Sequence, residues 1–206
     1  MRILFPLLAA TTLLSGCTLV RQQAAMVPQK TNDWHAVVTE ADRARLREWR
    51  TTMVKALATA RAAGHGAAID AEGALLRPDA ALGGAIPNGL YACRIIKVGA
   101  KSEGMLDYVS YPAFRCQIGT AERRHLTKLS GSQRAVGIIF PGGELRDVFL
   151  GTLALGDERQ AFPYGVDPMR DLAGYVERIG ERRFRLLLPK PHFESQLDVM
   201  ELVPVL

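Results

Sequence analysis

A chain of 206 residues is long enough for one good-sized domain with a tail and too short for two ordinary domains. Its 26 Lys and Arg against 21 Asp and Glu leave a net charge of +5, too mild an excess for a strongly basic nucleic-acid-binding class, and an apolar share of 48% excludes wholesale disorder. Nineteen Gly, eleven Pro and only 7% aromatic residues call for many turns.

The N-terminus reads as an address. Arg2 is followed by the apolar run Ile3 to Leu14, about twelve residues where a bilayer core of ~30 Å needs about 20. That length suits the apolar region of an export signal. Leu14-Ser15-Gly16-Cys17 resembles the lipobox of bacterial lipoprotein signal peptides. The resemblance implies that residues 1–16 are a lipoprotein signal peptide, cleaved before Cys17, and that Cys17 carries a diacylglycerol thioether and an acylated amine. Three acyl chains exceed the two signals that stable anchoring needs, so the mature chain is expected on a membrane without spanning it. Thr18 stands where many inner-membrane-retained lipoproteins carry Asp, and this favours the outer membrane. Residues 17–33 are read as a lipidated tether. Within it, Val20 to Asp33 has no apolar periodicity and would reach roughly 45 Å at full extension.

Residues 34–89 read as a helical segment and a connector packed on the body. Thr39 has the chemistry of an N-cap, with Glu40 and Asp42 in the first turn. Leu46, Trp49, Met53, Leu57 and Ala60 recur at three- and four-residue steps and make one apolar stripe, with most basic residues off it. Gly64 is the stop, so one helix of about 24 residues, ~36 Å long, is predicted. Residues 65–89, rich in Gly and Pro, form the connector.

Residues 90–206 form the body. Period-two patterns predict strands over 90–98, 113–118, 126–130, 133–140, 146–154, 174–179, 183–188 and 197–203. Around Gly180-Glu181-Arg182 the register can be argued. A two-residue loop would set Arg178 against Arg183, whereas a three-residue loop sets Glu177 against Arg185 and Val176 against Leu186. Cross-strand pairs are worth ~0.2–1 kcal/mol, so the second is predicted, with Val176, Phe184, Leu186 and Leu188 on the core face. Cys93 and Cys116 each fall on the apolar face of a strand. In an oxidising compartment an even pair is expected to be a disulfide. The fold class is mainly β with an N-terminal helix (α+β), its body a small antiparallel eight-stranded β-barrel or a strongly curled sheet. Periodicity leaves open whether such a barrel is filled by its own side chains or hollow.

The C-terminal two-thirds resembles a family of bacterial envelope proteins, the domain-of-unknown-function family numbered 4893. The residues that carry this include Gly89-Leu90-Tyr91-Ala92-Cys93-Arg94, Phe114-Arg115-Cys116, Gly131-Ser132-Gln133-Arg134, Phe149-Leu150-Gly151, Tyr164-Gly165-Val166-Asp167-Pro168 with Arg170-Asp171, and Val176-Glu177-Arg178-Ile179-Gly180. Asp33-Trp34 and Glu194-Ser195 extend the likeness. The resemblance implies no assigned activity. A looser likeness, of architecture alone, is to small periplasmic barrels that inhibit proteases.

Motifs for catalysis are missing: there is no Gly-x-Ser-x-Gly elbow, Ser-x-x-Lys pair, His-Glu-x-x-His helix or phosphate-binding glycine loop. His35, His65, His125 and His192 share no ligand spacing, so no metal and no cofactor is expected. The most distinctive stretch is Asp157 to Asp171. Asp167 and Asp171 lie four apart and are candidates for a cation or acid–base pair. A structural account explains more: Asp167-Pro168 as an N-cap followed by Pro at the first helical position, Arg170 pairing with a nearby acid, and Arg134 pairing with one of the loop acids. Arg134, Tyr164, Asp167, Arg170 and Asp171 are therefore the candidate binding or structural loop. Arg178, Arg182, Arg183 and Arg185 gather positive charge around one hairpin, read first as a solvated rim.

The expectation is a non-enzymatic, lipid-anchored protein of the periplasm, on the outer membrane, that binds an envelope protein or component. Its partners are the membrane through Cys17, an envelope protein or anionic lipid, and not nucleic acid. The alternatives are a periplasmic protease inhibitor and a carrier of a small apolar ligand within the barrel.

Overall fold

The computed structural model describes residues 31–120 and 123–205. The signal peptide expected over 1–16, the lipid attachment expected at Cys17 and the expected tether up to residue 30 lie outside the described residues. Within them, no helix is long and apolar enough to cross a membrane.

The chain begins with a helical front. Asp33 caps a short turn over Trp34–Ala36 by accepting from His35 N at 2.9 Å. Thr39 caps α1 (Glu40–Arg47): its hydroxyl accepts from Asp42 N at 3.2 Å, as its position ahead of two acids predicts. The single helix expected from the stripe is broken once within its span, at Glu48, and ends at Gly64. Glu48 leaves helical geometry (φ −92°, ψ 3°) before α2 (Trp49–Ala60), and Gly64 (φ 92°) separates it from α3 (Gly66–Ala71). The reason is the curvature beneath. Leu46 packs with Phe140, Val148 and Ala173, whereas Trp49, Met53, Leu57 and Ala60 pack with Ile96, Val98, Leu187 and Val199. A straight rod cannot hold both patches of a curved wall. Gly64 is the stop that was expected, but Ile69, Leu75 and Leu76 extend the apolar cover beyond it.

The body is a closed antiparallel barrel. Its strands are β1 (Gly89–Ala100), β2 (Tyr108–Ser110), β3 (Phe114–Thr120), β4 (Arg124–Lys128), β5 (Gln133–Phe140), β6 (Asp147–Leu155), β7 (Asp171–Arg178), β8 (Phe184–Pro189) and β9 (Ser195–Pro204). Neighbours pair in the order β2-β1-β3-β4-β5-β6-β7-β8-β9, and β1 also pairs with β9, which closes eight strands. All eight predicted strands are present, and the Glu177↔Arg185 and Val176↔Leu186 register is the observed one, with Arg178 opposite Phe184. The ninth, β2, is the start of β3 interrupted at Pro112. Ile96 faces Ser110 and Cys93 faces Phe114, so two residues of β1 oppose three on the other strand, a one-residue bulge at a residue that cannot donate to the ladder.

The interior is packed through its middle. Tyr91, Cys93, Phe149, Leu153, Val176, Leu186, Met200 and Leu202 are buried together, and Ile86 of the connector joins them. Gly137 and Gly151 face each other across β5 and β6, which makes room for the Phe149 ring. A Cβ on Gly137 would lie 2.5 Å from the Gly151 Cα and 2.7 Å from Phe149 Cε2. Cys93 and Cys116 sit at disulfide distance inside this core, with Cα atoms 6.0 Å apart. The link closes a loop spanning 23 positions, which on the chain-entropy account stabilises the fold by roughly 3 kcal/mol.

The alternation of side chains assigns two environments to each strand. Outward residues of β5–β9 and β1 lie beneath the helical front, while Arg115 and Gln117 on β3 stay exposed. The connections fall at two ends. Residues 101–107, 129–132, 156–170 and 190–194 cluster at one, and residues 141–146 and 179–183 at the other.

Candidate functional site

The five loop residues singled out from the sequence come together as scaffolding. Asp167 accepts from Met169 N at 3.0 Å, and its other oxygen meets Arg170 Nε at 3.1 Å. The Asp167-Pro168 pair starts a single turn rather than a helix, closed by Asp171 N on Asp167 O at 3.1 Å. Arg170 also grips both oxygens of Glu158, at 2.7 and 2.8 Å, which realises the expected pairing with a nearby acid. Asp171 is the first residue of β7, not a loop residue, and its carboxylate accepts from Gly165 N at 3.0 Å. Burial pushes the Asp171 carboxyl up, against the pull of the Gly165 N–H. Tyr164 donates to Asp42 at 2.6 Å and accepts from Thr39 N at 3.1 Å, tying the loop to the cap of α1. Burial and that carboxylate together raise the phenol. Arg134 does not pair with a loop acid: it donates to the carbonyls of Gly131, Gly156 and Glu158. A guanidinium fork suits three convergent carbonyls as well as it suits a carboxylate. Asp167 thus has both carboxylate oxygens engaged by this chain and Asp171 has one, and among the described residues no group of three or more His, Cys, Asp and Glu is placed to hold a metal.

Arg185 is not on a solvated rim. It is fully buried on the outer wall, bonded to Glu177 and to the carbonyls of Ala74, Leu75 and Arg77. Arg183 meets Glu201 at 2.6 Å, and Arg178 donates to Gly83 O at 2.6 Å. The hairpin's positive charge is largely taken up by its own neighbours.

A different site lies inside the barrel, at the end where the long connections cluster. The inward faces of β1, β5 and β9 are apolar along most of their length and then turn polar, Lys97 after Ile95, Gln133 before Ala135 and Asp198 before Met200, and on β4 Lys128 follows Leu126. Lys97 Nζ donates to Asp198 Oδ2 at 3.1 Å and lies 3.3 Å from Glu194 Oε2. Ser195 Oγ donates to the other oxygen of Asp198. Burial pulls the Lys97 ammonium down, but Asp198 and Glu194 outweigh it and leave it above its ordinary value. Gln133 Nε2 reaches Glu194 Oε1 at 3.3 Å and so bridges the mouth from β5 to the β8–β9 connection. Lys128 Nζ donates to Gln133 O at 2.7 Å and lies 4.4 Å from the centre of the Phe114 ring. Burial and the neighbouring Lys97 lower the Lys128 ammonium.

These groups surround a cavity of about 290 Å³ whose apolar wall is Ile95, Tyr111, Pro112 and Phe114 and whose polar wall is Lys97, Lys128, Gln133, Glu194 and the Ser130–Ser132 turn. The opposite end has a recess of about 300 Å³ beside Tyr91 and Phe184, but the charged residues on it, Glu181 and Arg182, are exposed side chains. Of these two, the first cavity combines buried charge with a concave apolar wall, the usual make-up of a small-ligand site. Lys97, Lys128 and Asp198 are not among the residues singled out from the sequence. The signal was present, because the alternation that puts Tyr91, Cys93 and Ile95 inside puts Lys97 inside next. Three segments that carry the family likeness, Phe114-Arg115-Cys116, Gly131-Ser132-Gln133-Arg134 and Glu194-Ser195, meet at this mouth.

A family model described as a domain of unknown function, DUF4893, matches residues 34–202. No curated protein and no solved structure matches the chain.

Proposed function

The chain belongs to the DUF4893 family, and from that premise we propose that it is a non-enzymatic binding module of the cell envelope, tethered through lipidated Cys17, that takes its ligand at the polar mouth of its barrel. The observation that carries this reading is the buried Lys97–Asp198 pair opening on a cavity at one end of an interior otherwise filled with side chains. A buried ion pair is weak evidence of a stabilising role, because desolvation offsets the attraction. The packed middle weighs against passage or storage of an apolar ligand along the barrel axis.

A second reading, a periplasmic protease inhibitor, rests on Phe162 and Val166, which project from the 156–170 connection with 46% and 61% of their surface exposed. Stoichiometric inhibition of a periplasmic protease, lost on Phe162→Ala, is its signature.

The binding reading is tested in cells with a photoreactive side chain at Ser132 on the mouth and another at Gln117 on the uncovered wall. Adducts from Ser132 and none from Gln117 are expected, with Cys17→Ser releasing the body from the membrane fraction. Equal labelling at both positions, or none at Ser132, contradicts the reading.

A further inference from the structure

We propose, resting on the reading of the mouth as a ligand site, that the ligand carries a carboxylate, free or at a peptide's C-terminus, and that the Glu194 side chain occupies the ligand's place in the empty protein. Glu194 ends the connection from β8 to β9 and has φ +68°; Lys190 opens it with φ +49°. These are the only two non-glycine residues at positive φ among the described residues, a conformation that disfavours any side chain with a Cβ. The backbone is thereby bent to turn a carboxylate into the cavity.

That carboxylate is held loosely. Its two contacts, to Lys97 and Gln133, are both 3.3 Å, longer than the ~2.7–2.9 Å of a good charge-assisted hydrogen bond. It is also redundant, since Asp198 already neutralises Lys97 at 3.1 Å. The Glu194 side chain is 42% exposed, so swinging it outward uncovers little. A loosely held, redundant, solvent-reachable carboxylate facing a buried ammonium is an occupant that another carboxylate can replace.

Lys128 supplies the second half of the argument. It lines the same cavity, half-buried, with a carbonyl and an aromatic face as its contacts, and no carboxylate lies within ion-pair distance of it among the described residues. A sheltered cation without a counter-charge, beside Lys97, selects an anion. The wall of Ile95 and Phe114 then favours an apolar body behind the anionic group.

The probes are 3-phenylpropionate, 3-phenylpropionamide, and a tripeptide ending in phenylalanine with a free or an amidated C-terminus. They are titrated into the full-length protein and followed by calorimetry and by the amide resonances of Gln133 and Glu194. The acids are expected to shift those resonances and to bind at least about tenfold more tightly than their amides. Glu194→Gln, which removes the competing charge and keeps the size, is expected to tighten binding about tenfold, and Lys128→Met to weaken it by as much or more. Tighter binding of the free-ended peptide than of 3-phenylpropionate assigns the site to peptide termini; the reverse assigns it to free acids. Acid and amide binding equally at the mouth overturns the carboxylate proposal while leaving the mouth a ligand site. Unchanged or weaker binding by Glu194→Gln overturns the role of Glu194. If no probe shifts the mouth resonances, the inference fails, and labelling from Ser132 alone then decides the wider reading.

Discussion

Two buried ion pairs of this protein use the same chemistry in opposite ways. On the outer wall, Arg185 and Glu177 sit directly opposite each other on β8 and β7, beneath the helical front. Every neighbour of the pair belongs to the scaffold: Arg185 also binds three carbonyls at the end of the helical segment, and Glu177 also meets Arg146, 3.1 Å away. Inside the mouth, Lys97 and Asp198 face each other on β1 and β9, but one side of their surroundings is a cavity. The first pair is sealed and staples two layers together. The second is open, and what it contributes depends on what fills the space beside it. Burial of charge alone does not distinguish the two roles; what lies beside the pair, scaffold or cavity, does.

The largest difference should appear on breaking each pair. Arg185→Met leaves Glu177 buried with only Arg146 for a partner and strips three carbonyls of their donor; a loss of about 3–5 kcal/mol in denaturant unfolding is expected. Replacing both partners, Arg185→Met with Glu177→Leu, should recover a good part of that loss. Failure to recover would locate the cost in the carbonyls rather than in the charge.

Reduction of the Cys93–Cys116 link should cost roughly 3 kcal/mol, measured with and without reductant at equal denaturant. Both sulfurs lie in the packed core shared by the two ends, so the loss should be the same with the mouth charges intact or altered.

Lys97→Met should cost less than Arg185→Met, about 1–3 kcal/mol, because Asp198 keeps the Ser195 hydroxyl as a donor and no backbone carbonyl loses its partner. Equal costs for the two substitutions would remove the distinction drawn between them.

The smallest effect sharpens the wall side. Arg94 joins Glu72 of the helical front, at 2.6 Å, to Glu201 of β9, at 2.8 Å. The hydrogen bond from Arg94, opposed by burial, holds the Glu72 carboxyl below the usual glutamate range. A carboxyl lowered on folding stabilises the protein above its unfolded value and loses that share as pH falls through the folded one. Wild type should therefore lose about 1 kcal/mol from this group below about pH 4.3, and Glu72→Gln should lack that part of the acid limb.

Much of the fold is legible in period-two patterns. The register at Glu177 and Arg185 follows from the cross-strand pairs that each loop length would make, and the eight strands follow from alternation. The same chemistry shows why the rest was hidden. Pro112 divides one strand into two, and a bulge of one residue leaves no compositional trace beyond that proline. Glu48 breaks a helix whose stripe is continuous in sequence, because the curvature that demands the break belongs to the barrel. The 156–170 connection attracts attention by its charge density, yet its charges satisfy one another. Lys97, Lys128 and Asp198 sit one step beyond apolar alternation on three strands far apart in the chain, and only closure of the barrel brings them to one mouth.

Hydrogen exchange on the protein in intact envelopes, compared with the purified protein, tests the two-ended account most directly. The account predicts protection gained at the mouth connections, 129–132 and 190–194, with no change at 141–146 and 179–183. Protection gained at 141–146 and 179–183 instead, or evenly over both ends, would contradict it.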